Sequence, residues 1–202
     1  LQIEGDSVFC EGDSLVLSVA GEAIAAGYQM AWEFENQSDI QTNITIGSPG
    51  SVILNGIYNG CATADTLEVV EILLPVVGGP FDLVGCEGDT LSLDAFLTDA
   101  SYLWAQNGSV DPSISVWAPG QYSVEVEKDG CFNYFDYEVE FLEIPVFELQ
   151  EADPLCEGES LTLNIGVTAD RYQWSNGSSG PSTVVNYPGG NLTASAFNQN
   201  CA

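Results

Sequence analysis

The chain has 202 residues, is 45 % hydrophobic, and sets thirty Asp and Glu against two basic residues, Lys128 and Arg171, for a formal net charge of −28. That balance excludes nucleic acid as a partner, because binding it needs cationic side chains to displace counterions, and anionic membrane surfaces are disfavoured for the same reason. The hydrophobic content and its regular alternation exclude a disordered acidic chain, and no run of 18 apolar residues is present to insert into a bilayer.

In chain order, the first landmark is Cys10-Glu11-Gly12-Asp13-Ser14-Leu15-Val16-Leu17. It returns as Cys86-Glu87-Gly88-Asp89-Thr90-Leu91-Ser92-Leu93 and as Cys156-Glu157-Gly158-Glu159-Ser160-Leu161-Thr162-Leu163. Each copy is followed by a tryptophan (Trp32, Trp104, Trp174) and then a second cysteine (Cys61, Cys131, Cys201). A period of about 70 residues is too long for a solenoid unit and suits a small autonomous domain. Three domains are expected, over 1–75, 76–145 and 146–202.

The first copy is predicted to end in a strand over Asp65–Ile72, with Leu74 to Pro80 as a short apolar, proline-bearing linker. The second copy is the most regular. Leu91, Leu93 and Ala95 alternate with polar residues, as do Tyr102 and Trp104, then Ile114 and Val116. After the Ala118-Pro119-Gly120 corner, Tyr122, Val124 and Val126 alternate with Ser123, Glu125 and Glu127. Lys128-Asp129-Gly130 supplies a turn, and a last strand follows over Tyr134–Glu143. Ile144-Pro145-Val146 links to the third copy, where only Ala202 follows Cys201, so that domain is expected to lack its final strand. A fragment of a longer protein explains that; so does an open groove awaiting a donor strand. Short strands with frequent turn signals, and no window of helical periodicity, predict an all-β chain: a tandem array of three small Ig-like antiparallel β-sandwiches.

Six cysteines, no histidine and no Cys-x-x-Cys favour disulfides over a metal site. Repeat phase pairs Cys10 with Cys61, Cys86 with Cys131 and Cys156 with Cys201, one staple per domain. Closing each loop of about 45–50 residues is worth about 3–4 kcal/mol in the chain-entropy account. Disulfides imply an extracellular location.

The sequence Cys-x-Gly-[Asp/Glu]-[Ser/Thr]-Leu-x-Leu, then Tyr-x-Trp, then Pro-Gly-x-Tyr-x-Val-x-Val, then Gly-Cys, resembles the Ig-like and PKD-like repeat modules of Bacteroidota cell-surface adhesins and gliding-associated proteins exported by type IX secretion. The resemblance covers nearly the whole chain and is weakest in the first copy, where Tyr28-Gln29-Met30-Ala31-Trp32 replaces Tyr-x-Trp and Val52 stands for Tyr122. It implies a structural or adhesive segment of a long surface protein or filament, a stiff rod whose partners are further copies of itself, cell surfaces or polysaccharide. It also makes Asp6-Ser7-Val8, Asp13-Ser14-Leu15, Asp65-Thr66-Leu67 and Asp89-Thr90-Leu91 match a Bacteroidota O-glycosylation triplet, with Ser7, Ser14, Thr66 and Thr90 as acceptors. Asn36, Asn43, Asn107, Asn176 and Asn191 head Asn-x-Ser/Thr triplets that a bacterial source would leave mostly unused.

Other side chains suggest less. Trp32, Trp104 and Trp174 recur in phase with the core pattern and are expected inside; Trp117 has no counterpart and is expected to pack under a loop, with sugar stacking as its alternative. Glu125 and Glu127 should face Asp136, Glu138 and Glu140 across a hairpin, a repulsion that salt or divalent cations would relieve or that the disulfide lets the domain tolerate. A solvated acidic surface with no bound cofactor is the expectation; the alternative is calcium, held by the linker-proximal acids Asp6, Glu71, Asp82, Glu143 and Glu148, although no Asp-x-Asp-x-Asp loop is present. Without histidine, a phosphate loop or pocket-forming insertions, no enzyme is expected. The alternatives to a structural rod are a carbohydrate-binding accessory module of a secreted enzyme and a fibre subunit that polymerises by strand donation.

Overall fold

The structure, a computed structural model, describes residues 1–35, 37–149, 153 and 155–202, with only the backbone of residues 37 and 38. By compactness the chain divides into two units, one of residues 1–77, 96–103 and 125–135, the other of residues 78–95, 104–124 and 136–202. The described residues are β throughout except for one short helix.

In the first unit, the first copy of the repeat builds a sandwich. One sheet has three strands in the order β1 (Ile3–Glu4), β3 (Leu15–Val19), β6 (Asn43–Ile46). The other has five: β2 (Val8–Cys10), β8 (Cys61–Ile72), β7 (Gly50–Tyr58), β4 (Gln29–Phe34) and β5 (Gln37–Asp39). The alternation read from the sequence sets the faces: Leu15, Leu17 and Val19 point inward from β3, and Val52 and Leu54 from β7. They close on Trp32, Ile46, Phe9 and Val69 in one apolar core. The β7–β8 hairpin turns through Asn59-Gly60, at φ +50° and +81°, so that Tyr58 faces Cys61. Asn-Gly fits because a two-residue hairpin whose twist matches its strands needs positive φ at both central positions.

One helix, α1 (Gly21–Ala26), is added to the all-β architecture. Its six residues are too few for a periodic signal, and Ala20 before it offers no capping side chain. It is held by burial of Ala23 and ends where Gly27 turns left-handed at φ +78°.

The second copy contributes β9 (Asp82–Cys86), β10 (Leu91–Asp94), β11 (Ser101–Trp104), β12 (Ser113–Val116), β13 (Gly120–Lys128) and β14 (Cys131–Leu142). β10 pairs antiparallel with β12, and β9 runs parallel to β14 from Asp82↔Glu138 to Cys86↔Leu142. Both predicted last strands start earlier than expected, at the cysteine itself. In the third copy, β15 (Ser160–Asn164) pairs with β17 (Ser182–Asn186) and β16 (Arg171–Trp174) with β18 (Ala194–Phe197), around Ile165, Trp174 and Ala196.

The three recurring tryptophans are fully buried, and each indole N–H donates to a backbone carbonyl downstream: Trp32 to Gln41, Trp104 to Asp111, Trp174 to Gly180, at 3.0, 2.9 and 2.8 Å. Burying the ring without that acceptor would strand a polar group in the core.

The acidic strands are not left to mutual repulsion. Hydroxyls take up the carboxylates: Ser123 donates to Asp136, Tyr134 to Glu125, and Ser101 to Glu127, which also accepts the Gly130 N–H. These bonds hold Glu127 below its ordinary pKa, the Ser101 hydroxyl contributing most. Conversely, burial first and the charge of Asp94 second push Tyr137 up, while its hydroxyl donates to the Asp94 carbonyl at 2.7 Å. A phenol kept neutral by folding stabilises the fold fully below the unfolded value of about 10, and that contribution is lost as pH rises through the folded value. Urea midpoints measured from pH 8 to 12 should therefore fall above about pH 10. Tyr137→Phe should flatten that fall; an unchanged slope would remove Tyr137 as its cause.

Candidate functional site

The cysteines depart most sharply from expectation. Cys10 is bonded to Cys131 and Cys86 to Cys201, spanning 121 and 115 residues. Cys61 and Cys156 are free and exposed. The within-repeat pairs Cys10–Cys61, Cys86–Cys131 and Cys156–Cys201 do not form; instead the first cysteine of one copy joins the second cysteine of the next. Each bond lies inside one compact unit, Cys10–Cys131 in the first and Cys86–Cys201 in the second.

Strand register explains the correction. Cys10 ends β2 opposite Ile72, at the far end of β8 from Cys61. Eleven residues of strand separate those ends by about 36 Å, whereas a disulfide needs Cα atoms within about 7 Å. Cys86 stands opposite Leu142 in the same way, at the far end of β14 from Cys131. The first two repeats therefore carry their two cysteines at opposite ends of one long strand, where they cannot meet.

The first cysteine of each copy sits in the same turn. The N–H of Asp13, Asp89 and Glu159 donates to the carbonyl of Cys10, Cys86 and Cys156 at 2.9, 2.9 and 3.0 Å. Gly12, Gly88 and Gly158 take φ of +85°, +91° and +87°, a conformation that strains any other residue. In the second and third copies the acid reaches back, Asp89 Oδ2 accepting from Cys86 N and Glu159 Oε2 from Cys156 N. The Cys-x-Gly-Asp/Glu motif is thus a thiol-presenting turn. Beside each disulfide an asparagine also ties down a linker carbonyl: Asn133 Nδ2 donates to Pro75 O at 3.0 Å, and Asn198 Nδ2 to Glu143 O at 2.9 Å.

Trp117 does not pack under a loop; it is 76 % exposed. It edges a surface depression of about 210 Å³ lined also by Gln106, Asn107, Ile114 and Tyr122. Gln106 is fixed at both ends of its amide, donating to Gln121 O and accepting from Ser123 N. Tyr122 is held by its hydroxyl on Ala118 O.

The acids proposed for calcium are not gathered. Among the described residues no three Asp, Glu, His or Cys side chains converge as a metal cluster. Asp6, Asp82, Glu143 and Glu148 are exposed, and Glu71 stands half-buried opposite Phe9. Of the glycosylation candidates, Ser14, Thr66 and Thr90 are exposed; Ser7 is half-buried and its carbonyl accepts from Val70 N. The aspartates of these triplets have structural duties: Asp65 takes the Ile3 and Thr66 N–H groups, and Asp89 shapes the Cys86 turn. Asn36 lies outside the described residues.

No protein-family profile matches the chain, nor does any curated protein. Solved structures do. The insect immune protein hemolin matches at 12 % identity and TM-score 0.40, over 70 % of this chain and 46 % of its own. Sidekick-1 immunoglobulin domains 1–5 match at 12 % and 0.36, over 100 % and 57 %, and the titin I-band fragment I67–I69 at 12 % and 0.39, over 97 % and 88 %. The chain spans about half the length of the hemolin and Sidekick-1 chains it matches. Resemblance this distant carries no argument about function.

Sequence reasoning missed the pairing and the two asparagines. Cysteine spacing is silent on the pairing, because one bond per period fits both a within-copy and a next-copy arrangement. Asn133 and Asn198 are out of phase with each other across the repeat, so recurrence does not single them out.

Proposed function

We propose that this chain is a structural, load-bearing segment of a long extracellular bacterial surface protein, in which the repeats 1–75, 76–145 and 146–202 act in series and further copies of the repeat are the main partners. What supports the reading is the overlap of its two disulfides: the loop 10–131 and the loop 86–201 share the residues between Cys86 and Cys131. Tension between the ends then bypasses most of the backbone and passes through two covalent clamps and one stretch of the middle repeat. No helix among the described residues is long and apolar enough to cross a membrane. The acidic surface keeps such a chain soluble. Exposed Ser14, Thr66 and Thr90 suit an O-glycan coat. Stretching single molecules by their ends tests the role: a load-bearing chain stops well short of its full contour when oxidised, and free extension would overturn the reading.

A second reading is supported by Trp117. An exposed indole beside Tyr122 and two amide side chains offers a stacking face and polar contacts for a polysaccharide. Trp117→Ala should leave the urea midpoint unchanged, a surface change being worth less than about 0.5 kcal/mol, and abolish binding on a glycan array. Unchanged glycan binding, or none in the parent chain, would retire this site.

A further inference from the structure

Two of the six cysteines are unpaired, and they are not equivalent. Cys156 is the first cysteine of its copy, the counterpart of Cys10 and Cys86; Cys61 is the second of its copy, the counterpart of Cys131 and Cys201. Both counterparts of Cys156 bond to a cysteine of the second kind, and both counterparts of Cys61 bond to one of the first kind. The local frames agree as well. Cys156 sits in the same Gly-bearing turn, with the 3.0 Å bond from Glu159 N and the 2.8 Å bond to Glu159 Oε2 that Cys86 makes to Asp89. Cys61 opens its strand after Asn59-Gly60 at φ +50° and +81°, as Cys131 does after Asp129-Gly130 at +54° and +83°. The partnered second cysteines, Cys131 and Cys201, are 1 % and 4 % exposed, whereas Cys61 and Cys156 lie open to solvent. A leftover exposed thiol in a disulfide-forming chain points to a partner outside it.

We propose that Cys156 and Cys61 are the two halves of a third bond of the same kind, made between successive copies, Cys156 with the hairpin cysteine of a following repeat and Cys61 with the turn cysteine of a preceding one. The partner chemistry is a second Ig-like repeat of this sequence type, supplied by another copy of this chain or by a flanking repeat. In the reaction two S–H bonds break and one S–S bond forms; the two electrons and two protons pass to a disulfide oxidant, glutathione disulfide or a disulfide-carrying oxidoreductase, which leaves as two thiols. A thiolate attacks the oxidant first, and the second thiol resolves the mixed disulfide. Because the two thiols belong to opposite kinds of surface, the contact is head-to-tail and propagates into an open filament unless its rotation closes a ring. The proposal goes beyond the load-bearing role, extending the covalent path from one chain to an assembly.

The test mixes two single variants of the 202-residue chain, Cys61→Ser (which keeps Cys156) and Cys156→Ser (which keeps Cys61), in a glutathione redox buffer, with cystine-peptide mapping. The two native bonds must map intact in both variants, which shows that they fold. The expected product is a Cys156–Cys61 heterodimer exceeding either symmetric dimer by about tenfold or more, against the roughly twofold excess that chance pairing gives. The parent chain should form a ladder of higher species. Mapping the protein from its natural source separates the two suppliers: a link from Cys61 or Cys156 to a peptide of this chain identifies a second copy, and a link to another Cys-x-Gly or hairpin peptide identifies a flanking repeat. The statistical twofold mixture of dimers expected of indiscriminate thiols, an intramolecular Cys61–Cys156 bond, or free thiols in the natural protein would each overturn the proposal. If the proposal fails while the oxidised chain still resists extension, the load-bearing reading stands alone.

Discussion

Pulled by its two ends with both disulfides formed, the chain is expected to stop extending at roughly 190 Å, because only about 55 residues lie on the shortest covalent path and each spans at most about 3.4 Å. That path runs from the N-terminus to Cys10, crosses to Cys131, returns along the middle repeat to Cys86 and crosses to Cys201. Fully reduced, the same chain should reach roughly 690 Å. The double variant Cys86→Ser/Cys201→Ser separates the observed pairing from a within-repeat one. With Cys10–Cys131 intact it should extend to roughly 270 Å; had each repeat held its own bond, the same variant would lose two bonds and reach roughly 510 Å. Force spectroscopy resolves these lengths easily. An end-point near 510 Å would sink the overlapped pairing and with it the load-bearing argument.

The second large effect concerns Trp104. Its ring is completely buried, lies 5.6 Å from Tyr137, and donates to Asp111 O at 2.9 Å. Trp104→Ala removes the largest buried side chain of the middle repeat and leaves a cavity, at a cost of about 3–5 kcal/mol. Against a total of about 5–15 kcal/mol for a whole domain, that is about a fifth or more of the stability, and it should lower the urea midpoint of the unit that holds Trp104 accordingly. Trp104→Phe should lie between, at about 1–3 kcal/mol, because it keeps most of the apolar volume but strands the Asp111 carbonyl. Tryptophan fluorescence and near-ultraviolet dichroism against urea, with both disulfides left intact, provide the measurement. A loss below about 1 kcal/mol for the alanine variant would show that the ring is not the keystone its burial implies.

The β architecture and the core were legible because strand patterning is local. Leu15, Leu17 and Val19, or Leu91 and Leu93, alternate with a period of two, and nothing in the tertiary structure overrides it. The turn at Asp129-Gly130 was legible for a similarly local reason. Helix α1 was not, since six alanine-rich residues lack the length to show a period, and it exists by docking Ala23. Trp117 was misjudged because a lone aromatic carries no phase; only the surface around it reveals its exposure. The hydrogen bonds at Glu125, Glu127 and Asp136 were not legible, because the hydroxyls of Ser101, Ser123 and Tyr134 are scattered along the sequence and meet the carboxylates only in the fold. The disulfides failed for a different reason. The sequence shows which cysteines recur, whereas the pairing depends on which end of a 12-residue strand each one occupies, and that is set by the parallel register of β2 with β8 and β9 with β14.

The spacing of the bonded cysteines also has a consequence in time. A chain that emerges N-terminus first presents Cys10 long before Cys131; at about 5–20 residues per second the partner arrives roughly 6–24 s later. During that interval Cys61 is the nearest thiol along the chain, and the first repeat must finish folding unaided by any covalent bond. Pairing β2 against the far end of β8 is what keeps Cys10 out of reach of that earlier thiol. On this register folding of the first repeat precedes oxidation of Cys10 and chooses its outcome, so the order in which the repeats appear is written into the connectivity they end up with.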